Sequence, residues 1–340
     1  MTNLPAARTA TEHDLPALRS LARAALVHDS DAEDVFDLLW SQTAGHPQLR
    51  VLAEDEGKPV GVALAALRPA TASAPATGHI DLIAVHPGIQ SRGVGRALLT
   101  RAEELLVAAG AGRLMIRGRP PYYAWPGIDI RYTRAVCLAE SSGYSRGPEG
   151  LNLSVDLRTA PLGTVEDEAR LAAAGVQVRR LTPADEKPFL AWMNQWGGSW
   201  DGEAARALTY SPPRGHVAVR EGADGPVYVG FACHGVNRRS WFGPMGTESS
   251  ERGLGVGTVL LRRCLADQRA FGLDEAEIGW TAPIHFYARA VDAQLGRVFW
   301  TYSKDVWPLG GPARPEEPTA QPERNRHAAH PRPPSHSGRR

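Results

Sequence analysis

A short glycine-containing segment occurs twice in this 340-residue chain, in similar surroundings. The first copy runs from Gln90 to Arg96 and reads QSRGVGR; the second runs from Arg252 to Thr258 and reads RGLGVGT. In each copy, glycines stand three and five positions after a long polar residue. The last glycine opens a helix with apolar periodicity, so backbone N–H groups could surround a pyrophosphate at the helix N-terminus. The chain is therefore predicted to contain two copies of one nucleotide-cofactor module.

The similarity between the two halves extends beyond this segment. Amphipathic helices are predicted after Thr11 and after Thr182, because each threonine precedes an acidic residue and a set of apolar residues at helical spacing. A strand pair with a polar turn follows in each half, and a third strand then leads into the glycine segment. Another amphipathic helix and another strand come next. The pattern predicts duplicated domains and not a short-period repeat.

The repeat predicts four regions along the chain. The N-terminal domain covers residues 1–155, a polar and alanine-rich linker covers 156–175, and the C-terminal domain covers 176–310. Residues 311–340 are mostly Pro, Arg, Glu, His and Ser, and such a segment cannot bury enough apolar area to offset the entropy of ordering. We therefore predict a disordered tail there.

The composition is that of a globular chain without strong charge bias. Hydrophobic residues make up 43% of the chain and charged residues 22%, and the formal net charge is +1. This balance argues against a nucleic-acid partner and an anionic membrane surface, and no apolar stretch approaches the length that crosses a bilayer. Cys137, Cys233 and Cys264 lack paired metal-binding spacing, which predicts buried thiols in a reduced, cytoplasmic protein without a metal site.

Residues 85–95 carry a family resemblance. Their sequence, VHPGIQSRGVG, resembles the acetyl-CoA-binding motif of the GCN5-related N-acetyltransferases (GNAT), V-x-P-x-x-Q/R-x-x-G-x-G/A, at every fixed position. The second copy matches at its long polar residue and at both glycines, but Thr247 and Ser249 stand where the family usually has valine and proline. The resemblance covers nearly all of residues 1–305, as two tandem domains.

The resemblance implies both a fold and a cofactor. The implied fold is of the α/β class (an α+β mixed sheet), with two tandem GNAT-like domains that each contain a mixed, mostly antiparallel sheet flanked by helices. Acetyl-CoA is the implied cosubstrate, and no metal is expected. The implied cofactor-binding residues are Val85, Gln90, Arg92, Gly93, Val94, Gly95 and Arg96 in the first half, and Met245, Thr247, Arg252, Gly253, Gly255, Val256, Gly257 and Thr258 in the second.

The helix after the fifth strand bears on which half performs the chemistry. In the family, this helix carries a tyrosine that commonly protonates the departing CoA thiolate. Tyr287 occupies this position in the second half, whereas the first half has Ala139. Tyrosine suits the role because its pKa of about 10 keeps it protonated at neutral pH. The resemblance favours Tyr287 as the catalytic acid and the C-terminal domain as catalytic; the alternative is that Tyr287 packs beside Phe286.

The sequence offers several candidates for a base and for an acceptor pocket. Asp81, in the fourth strand of the first half, lies at a frequent carboxylate position of the family; a water chain is an alternative base. Residues 122–129 are a candidate for a cleft in the first half. An aromatic and polar cluster in the second half suits a sugar-like amine or closes the domain interface. The cluster contains Trp192, Asn194, Gln195, Trp196, Trp200 and Asp201, and the candidate bases near it are Asp201, Glu203 and Glu248.

The implied reaction is direct attack of a neutral amine on the acetyl thioester, without a covalent enzyme intermediate. Backbone N–H groups exposed where the fourth and fifth strands splay apart would polarise the thioester oxygen. We expect an acetyl-CoA-dependent N-acetyltransferase of a small primary amine, acting as a monomer or homodimer. The alternatives are a non-catalytic CoA-sensing module and an aminoacyl or longer-acyl transferase on the same scaffold, although no basic patch speaks for tRNA.

Overall fold

The computed structural model describes residues 6–71, 75–121, 123–196, 200–223, 225–281 and 283–306. The tail predicted to be disordered, residues 311–340, lies outside the described residues, as do Tyr122 and the end of the predicted C-terminal domain, residues 307–310. The fold class expected from the sequence is confirmed, because helices flank a mixed sheet in both halves. The predicted domain boundaries stay a prediction.

The two halves contain corresponding elements in the same order. The first half contains β1 (Ala6–Thr9), α1 (Leu15–Ala25), α2 (Ala32–Gln42), β2 (Arg50–Asp55), β3 (Lys58–Arg68), β4 (Thr77–Val85), α3 (Val94–Ala108), β5 (Arg113–Ile116), β6 (Ile128–Asp129), α4 (Thr133–Ser141) and β7 (Ser145–Asp156). The second contains α5 (Val165–Ala173), β8 (Gln177–Arg180), α6 (Glu186–Met193), α7 (Trp200–Leu208), β9 (Gly215–Gly222), β10 (Gly225–His234), β11 (Trp241–Thr247), α8 (Val256–Ala270), β12 (Glu275–Ile278), α9 (Ile284–Val291) and β13 (Gln294–Asp305). Helix α5 lies within the predicted linker.

Matching hydrogen bonds hold the start of the first helix in each half. Before α1, the two carboxylate oxygens of Asp14 accept hydrogen bonds from Arg8 at 2.7 and 2.8 Å, and Oδ2 also accepts one from the backbone N–H of Thr11. The same contacts recur before α6, through Arg179, Thr182 and Asp185. Each carboxylate thereby joins the edge strand of its half to the turn that begins the helix.

A mixed sheet runs through the thirteen strands of the described residues, in the order β1-β2-β3-β4-β5-β13-β7-β12-β11-β10-β9-β8, with β6 paired to β13. The pairs β4/β5 and β11/β12 are parallel. The last strand of each half is exchanged: β13 pairs with β5 of the first half, and β7 pairs with β12 of the second. Since β7 and β13 also pair with each other, the two halves share a continuous sheet.

The fourth and fifth strands diverge in both halves. β4 pairs with β5 from Thr77 to His79, and β11 pairs with β12 at Trp241 and Phe242; no further pairing of these strands occurs within the described ranges. The β3/β4 register slips by one residue at Asp81, which makes this residue a bulge. Each divergence opens a V-shaped gap beside a central strand.

A buried helix packs on each half of the sheet at the strand that enters this gap. Helix α3 packs on β3 and β4, and α8 packs on β10 and β11. A Cβ placed at Gly61 would lie 2.8 Å from Cδ1 of Leu98, and one at Gly230 would lie 3.1 Å from Cδ1 of Leu260. Both leucines are fully buried. Burial of each leucine stabilises its half by roughly 1.5–3 kcal/mol, and the close packing fixes the N-terminus of the helix against the strand.

Candidate active site

A cleft of about 1000 Å³ opens where β4 and β5 diverge. Its walls come from β4, from the loop before α3, from α4 and the segment preceding it, from the end of α1 and from β13. We call the part around Gln90, Gly93 and Gly95 the loop end. The part around Asp81 and Arg131 is the inner end; Asp81 lies four residues before the end of β4, about 13 Å along the strand.

The loop end has the geometry of an anion site. Gly93 is the N-cap of α3 with a φ of 89°, a left-handed conformation that glycine adopts without strain. The first N–H groups of α3 have no acceptor within the helix and carry the positive end of its dipole. Gln90 Nε2 donates to the carbonyl of Val85 at 3.0 Å, and Arg134 Nη1 donates to Gln90 Oε1 at 3.1 Å. These two contacts hold the loop in place beside the open cleft.

The structure brings most of the predicted cofactor residues of the first half together. Those that line the cleft are Val85, Gln90, Gly93, Gly95 and Arg96. The side chain of Val94 is buried in the core instead, because the first turn of α3 directs it onto the sheet. The side chain of Arg92 is exposed on the loop. Val94 therefore supports the loop from beneath and does not form the cleft wall.

Asp81 lies in the wall of the inner end, at the bulge of β4. Its Oδ2 accepts a hydrogen bond from Arg119 Nε at 3.0 Å, and its backbone carbonyl accepts one from Trp125 Nε1 at 2.9 Å. Burial raises the pKa of Asp81 to about 6, against the opposing effect of the Arg119 guanidinium. A carboxyl group that titrates near neutrality beside a cleft is suited to accept a proton from a substrate amine.

Part of the inner end is supplied by the second half. Arg297 of β13 donates from Nε to Asp129 Oδ2 at 2.7 Å and from Nη1 to Asp29 Oδ1 at 2.8 Å. The hydroxyl of Tyr132 donates to Asp29 Oδ2 at 2.7 Å. Burial opposes ionisation of Asp29, but the guanidinium groups of Arg238 and Arg297 hold its pKa below the usual range. The exchanged strand therefore completes the first-half cleft.

Reasoning from the sequence named Asp81 and the cleft candidate 122–129, which ends at Asp129, but it missed Arg131 and Arg297. The position of Arg131 depends on the direction of the loop between β5 and α4. Arg297 carries no local signal, because it lies in the last strand of the opposite half and reaches this site through the strand exchange.

The glycine loop of the second half is covered. Gly255, the N-cap of α8, has a φ of 89°, equal to that of its counterpart in the first half. However, Arg170 of α5 donates from Nη1 to the carbonyl of Leu254 at 2.5 Å, and a Cβ at Gly255 would lie 2.9 Å from Nη2 of Arg170. A guanidinium group, on a side chain that is 54% exposed, thus lies beside the N-cap of α8.

Side chains lie beside the next glycine of this loop, as Leu138 and Val85 lie beside Gly95 in the first half. A Cβ at Gly257 would lie 3.4 to 3.6 Å from Met245, Phe286 and Thr247. Among the other predicted cofactor residues, Val256 is buried in the core, Arg252 and Gly253 are exposed, and Thr258 is half-buried. Side chains of the second half therefore lie against the predicted loop at both Gly255 and Gly257.

The strand edge beside this loop differs as well. Counted back from the end of each strand, Gly243 stands where β4 has Asp81, so the carboxyl group is missing there. The next residue, Pro244, has no backbone N–H to donate. A Cβ at Gly246 would lie 2.8 Å from the Trp196 ring, so this ring covers the strand.

Tyr287 is buried, with 7% of its surface exposed. Its ring makes edge contacts with Phe286 and Phe242, at centroid distances of 4.9 and 6.2 Å. Burial raises the pKa of Tyr287 to about 12, so the phenol keeps its proton at neutral pH. Its position in the core matches the packing alternative, and its role as the catalytic acid stays a prediction.

The other candidates of the second half are largely engaged in packing. Trp192, Trp196 and Trp200 each contact the ring of Phe231 edge-on, at centroid distances of 5.7 to 5.9 Å. Glu248 accepts a hydrogen bond from Gln195 at 2.8 Å, and Asp201 is exposed. Glu203 is buried against Asn237, and burial raises its pKa to about 7.

Three further features limit the chemistry that the chain can perform. No group of three or more His, Cys, Asp or Glu residues is placed to hold a metal ion in the part of the chain that the structure describes. Cys233 and Cys264 are buried as predicted, whereas Cys137 is exposed, because its position on α4 faces the cleft and not the core. Among the described helices, none is long and apolar enough to cross a membrane.

Comparison with known proteins agrees with this geometry. A family model described as "Acetyltransferase (GNAT) family" matches residues 15–122, which include β4, the first glycine loop and β5. A mycothiol acetyltransferase from Thermomonospora curvata is 30% identical over 268 residues, which cover 74% of this chain and 79% of that protein. The chain therefore belongs to the GNAT family of acetyltransferases, which use acetyl-CoA.

Solved structures share the tandem fold. A GCN5-related glucosamine N-acetyltransferase region of a fungal multi-domain β-N-acetylglucosaminidase aligns with a TM-score of 0.69 and 17% identity, over 88% of this chain and 38% of that longer chain. A tandem GNAT protein from the clavulanic acid biosynthesis pathway aligns with a TM-score of 0.59 and 17% identity, over 92% of this chain and 99% of that one. At these identities the likeness establishes the fold alone.

Proposed function

We propose that the chain transfers an acetyl group from acetyl-CoA to a small primary amine, and that the cleft of the first half holds both substrates. The observation that carries the proposal is the continuity of this cleft, from the uncovered glycine loop to the carboxyl group of Asp81. The sequence favoured the second half as catalytic. The geometry favours the first, since Arg170 lies against Gly255 in the second loop and the carboxyl group of Asp81 has no counterpart in β11.

Acetyl-CoA would lie along the open edge of β4. Its pyrophosphate would accept hydrogen bonds from the N–H groups at the start of α3, with Arg92 and Arg96 close enough along the loop to balance its charge. Alternate N–H groups of an unpaired strand edge point sideways into the gap. In β4 these donors lie between Ile80 and Val85, and one directed at the thioester oxygen would stabilise the negative charge of the tetrahedral intermediate.

Asp81 would act as the base. As a carboxylate it takes a proton from the ammonium group of the acceptor, and the neutral nitrogen then attacks the carbonyl carbon of the thioester. The C–N bond forms, the nitrogen of the tetrahedral intermediate loses its extra proton to water, and the intermediate collapses as the C–S bond breaks to release CoA thiolate. Ala139 places no phenol beside this sulfur. A thiolate with an ordinary pKa of about 8.5 can leave and take its proton from water.

Calorimetric titration of acetyl-CoA into matched glycine variants tests the proposal. We expect Gly95→Asp to abolish binding, because a carboxylate there repels the pyrophosphate, and Gly257→Asp to leave binding intact. Gly95→Ala is the matched control: its Cβ would lie 3.3 Å from Cδ2 of Leu138, a flexible side chain that can shift slightly. Loss of binding in Gly257→Asp alone would move the site to the second half.

Assays of CoA thiol release distinguish the proposed transferase from the two alternative functions. Release of CoA thiol that requires an added amine supports a transferase, whereas binding of acetyl-CoA without release under any condition supports a CoA-sensing module. A higher rate with longer acyl-CoA or aminoacyl donors than with acetyl-CoA would indicate the third alternative. Absence of acetyl-CoA binding to the unaltered chain would refute the proposed function as a whole.

A further inference from the structure

The charges at the inner end of the cleft are not equally accessible. The carboxylates are buried: the side chains of Asp81 and Asp129 are each 2% exposed. The side chain of Arg131, which lies over Asp129, is 44% exposed. A molecule that enters the inner end therefore meets guanidinium groups first, although carboxylates lie beneath them.

Arg131 lines the cleft and uses part of its guanidinium group to hold Asp129. Its Nε donates to Oδ1 at 3.1 Å and its Nη2 to Oδ2 at 2.7 Å, whereas Nη1 makes no contact within the described residues. A guanidinium group has five N–H donors in a planar fork, so Arg131 can hold Asp129 with one edge and a second carboxylate with the other. Arg297 also contacts Asp129, which keeps this carboxylate ionised beneath Arg131.

Arg117 is a second available cation. It follows β5 directly and lines the cleft across the gap from β4. Its guanidinium carbon lies 5.4 Å from the centroid of the Trp280 ring, a residue of the second half. In the described part of the chain, Arg117 contacts no carboxylate, whereas Arg119 is bound by Asp81. The contact with Trp280 positions Arg117, and no hydrogen bond of its side chain occurs within the described residues.

From this arrangement we infer that the acceptor amine also carries a carboxylate group, as an amino acid does, and that Arg117 and Arg131 bind this carboxylate while the amino group faces Asp81. The inference rests on the proposed function. The planar forks of two arginines match the two oxygens of a carboxylate, and these charge-assisted hydrogen bonds are formed in a partly dry cleft. The acceptor is thus bound through two opposite charges at the two sides of the inner end.

Matched acceptor pairs test the inference. Thiol release from acetyl-CoA is measured with the common L-amino acids and with the corresponding L-amino acid amides, which lack only the carboxylate charge; aminoethyl phosphate serves as an anionic amine of another type. We expect kcat/KM to be 10- to 100-fold higher for acids than for their amides. The amide has the less basic amine and so more of the neutral nucleophile, hence amine basicity cannot produce this preference.

Variants of Arg117 and Arg131 test whether these two residues produce the preference for amino acids over their amides. In Arg117→Met and Arg131→Met, and most strongly in the double variant, we expect the acid-to-amide ratio to fall toward one while kcat/KM for the amides changes less than about threefold. Arg117→Lys and Arg131→Lys keep the charge and should retain part of the preference. Arg158→Met is the control for loss of one cation, because Arg158 is exposed and pairs with Asp156, outside the cleft.

Four results would overturn the inference: equal rates for acids and amides, a preference for aminoethyl phosphate, an acid preference unchanged in the double variant, and acetyl-CoA binding without transfer to any carboxylate-bearing amine. Each of these leaves acetyl-CoA bound to the first half. Failure of the proposed function is distinguishable, because acetyl-CoA would then either not bind or be lost in Gly257→Asp and not in Gly95→Asp.

Discussion

The two halves of this chain carry the same glycine loop after the same kind of strand, and they differ in what lies above that loop. In the first half, Gly93 and Gly95 border an open cleft. In the second, the guanidinium group of Arg170 lies against Gly255. The backbone of the loop is nearly identical, with a φ of 89° at both N-cap glycines. A preserved loop backbone is therefore compatible with both an open and a filled site.

A second difference concerns the groups that would act on the substrate. The first half has Asp81 at its strand bulge and no tyrosine on α4, whereas the second has Tyr287 on α9 and Gly243 in place of the carboxyl group. Each half thus holds one of the two groups that the family resemblance implies, the carboxyl group in the first half and the tyrosine in the second. Both groups are buried: Asp81 is 5% exposed in the wall of the cleft, and Tyr287 is 7% exposed beside Phe242 and Phe286.

The largest expected effect on kcat/KM distinguishes the role of Asp81 from that of Tyr287. Asp81→Asn removes the base and should lower kcat/KM for acetyl transfer by about 100- to 10,000-fold, with acetyl-CoA affinity retained. Tyr287→Phe should lower it less than about threefold. Steady-state thiol release checks both variants. The reverse ranking, with Tyr287→Phe the more damaging, would return the catalytic role to the second half.

The shared sheet predicts a matched effect on stability. Leu98→Ala and Leu260→Ala each remove a fully buried leucine from a helix packed on the sheet, and each should cost about 2–5 kcal/mol of unfolding free energy. Because β7 and β13 join the halves, we expect a single denaturant transition that shifts in both variants. Chemical denaturation followed by fluorescence and circular dichroism checks this; separate transitions for the two halves would contradict the coupling.

The pH dependence of the reaction compares Asp81 with Glu203. Burial raises the pKa of Asp81 to about 6 and that of Glu203 to about 7. Since the base acts as a carboxylate, kcat/KM should fall about tenfold per pH unit below pH 6 and level off above it. The fall in kcat/KM below pH 6 should remain in Glu203→Gln and be absent in Asp81→Asn. If the fall in kcat/KM below pH 6 is lost in Glu203→Gln instead, the titrating group lies in the second half.

The smallest expected effect concerns the helix starts. Thr11 and Thr182 each donate a side-chain hydrogen bond to the acidic residue three positions later, at 3.0 and 2.8 Å. Replacement of either threonine by alanine should cost about 0.5–2 kcal/mol, similarly in the two halves. Thermal unfolding of the two variants provides the measurement. A large cost in one half alone would mean that the cap there has a further structural role.

Much of the fold was predictable, since its signals are local. The helix starts at Thr11 and Thr182, the hairpins and both glycine loops follow from turn chemistry and periodicity, and the structure contains each of them. Of the site, Asp81 and most of the predicted loop residues of the first half line one cleft, whereas Val94 is buried in the core and Arg92 is exposed on the loop. Arg297 and Arg131 were not predicted, and the sequence ranked the halves by Tyr287 alone, without the burial of that residue.

The sequence by itself determined the duplicated pattern, because helical and strand periodicities, caps and glycine conformations act between residues that are near neighbours in the chain. Tertiary structure alone decided which side chains lie beside each copy of the loop. That outcome depends on contacts between distant residues: Arg170 reaches Leu254 across 84 positions, and Arg297 reaches Asp29 across 268. Such contacts arise from the strand exchange and from side-chain packing, and neither leaves a periodic signal in the sequence.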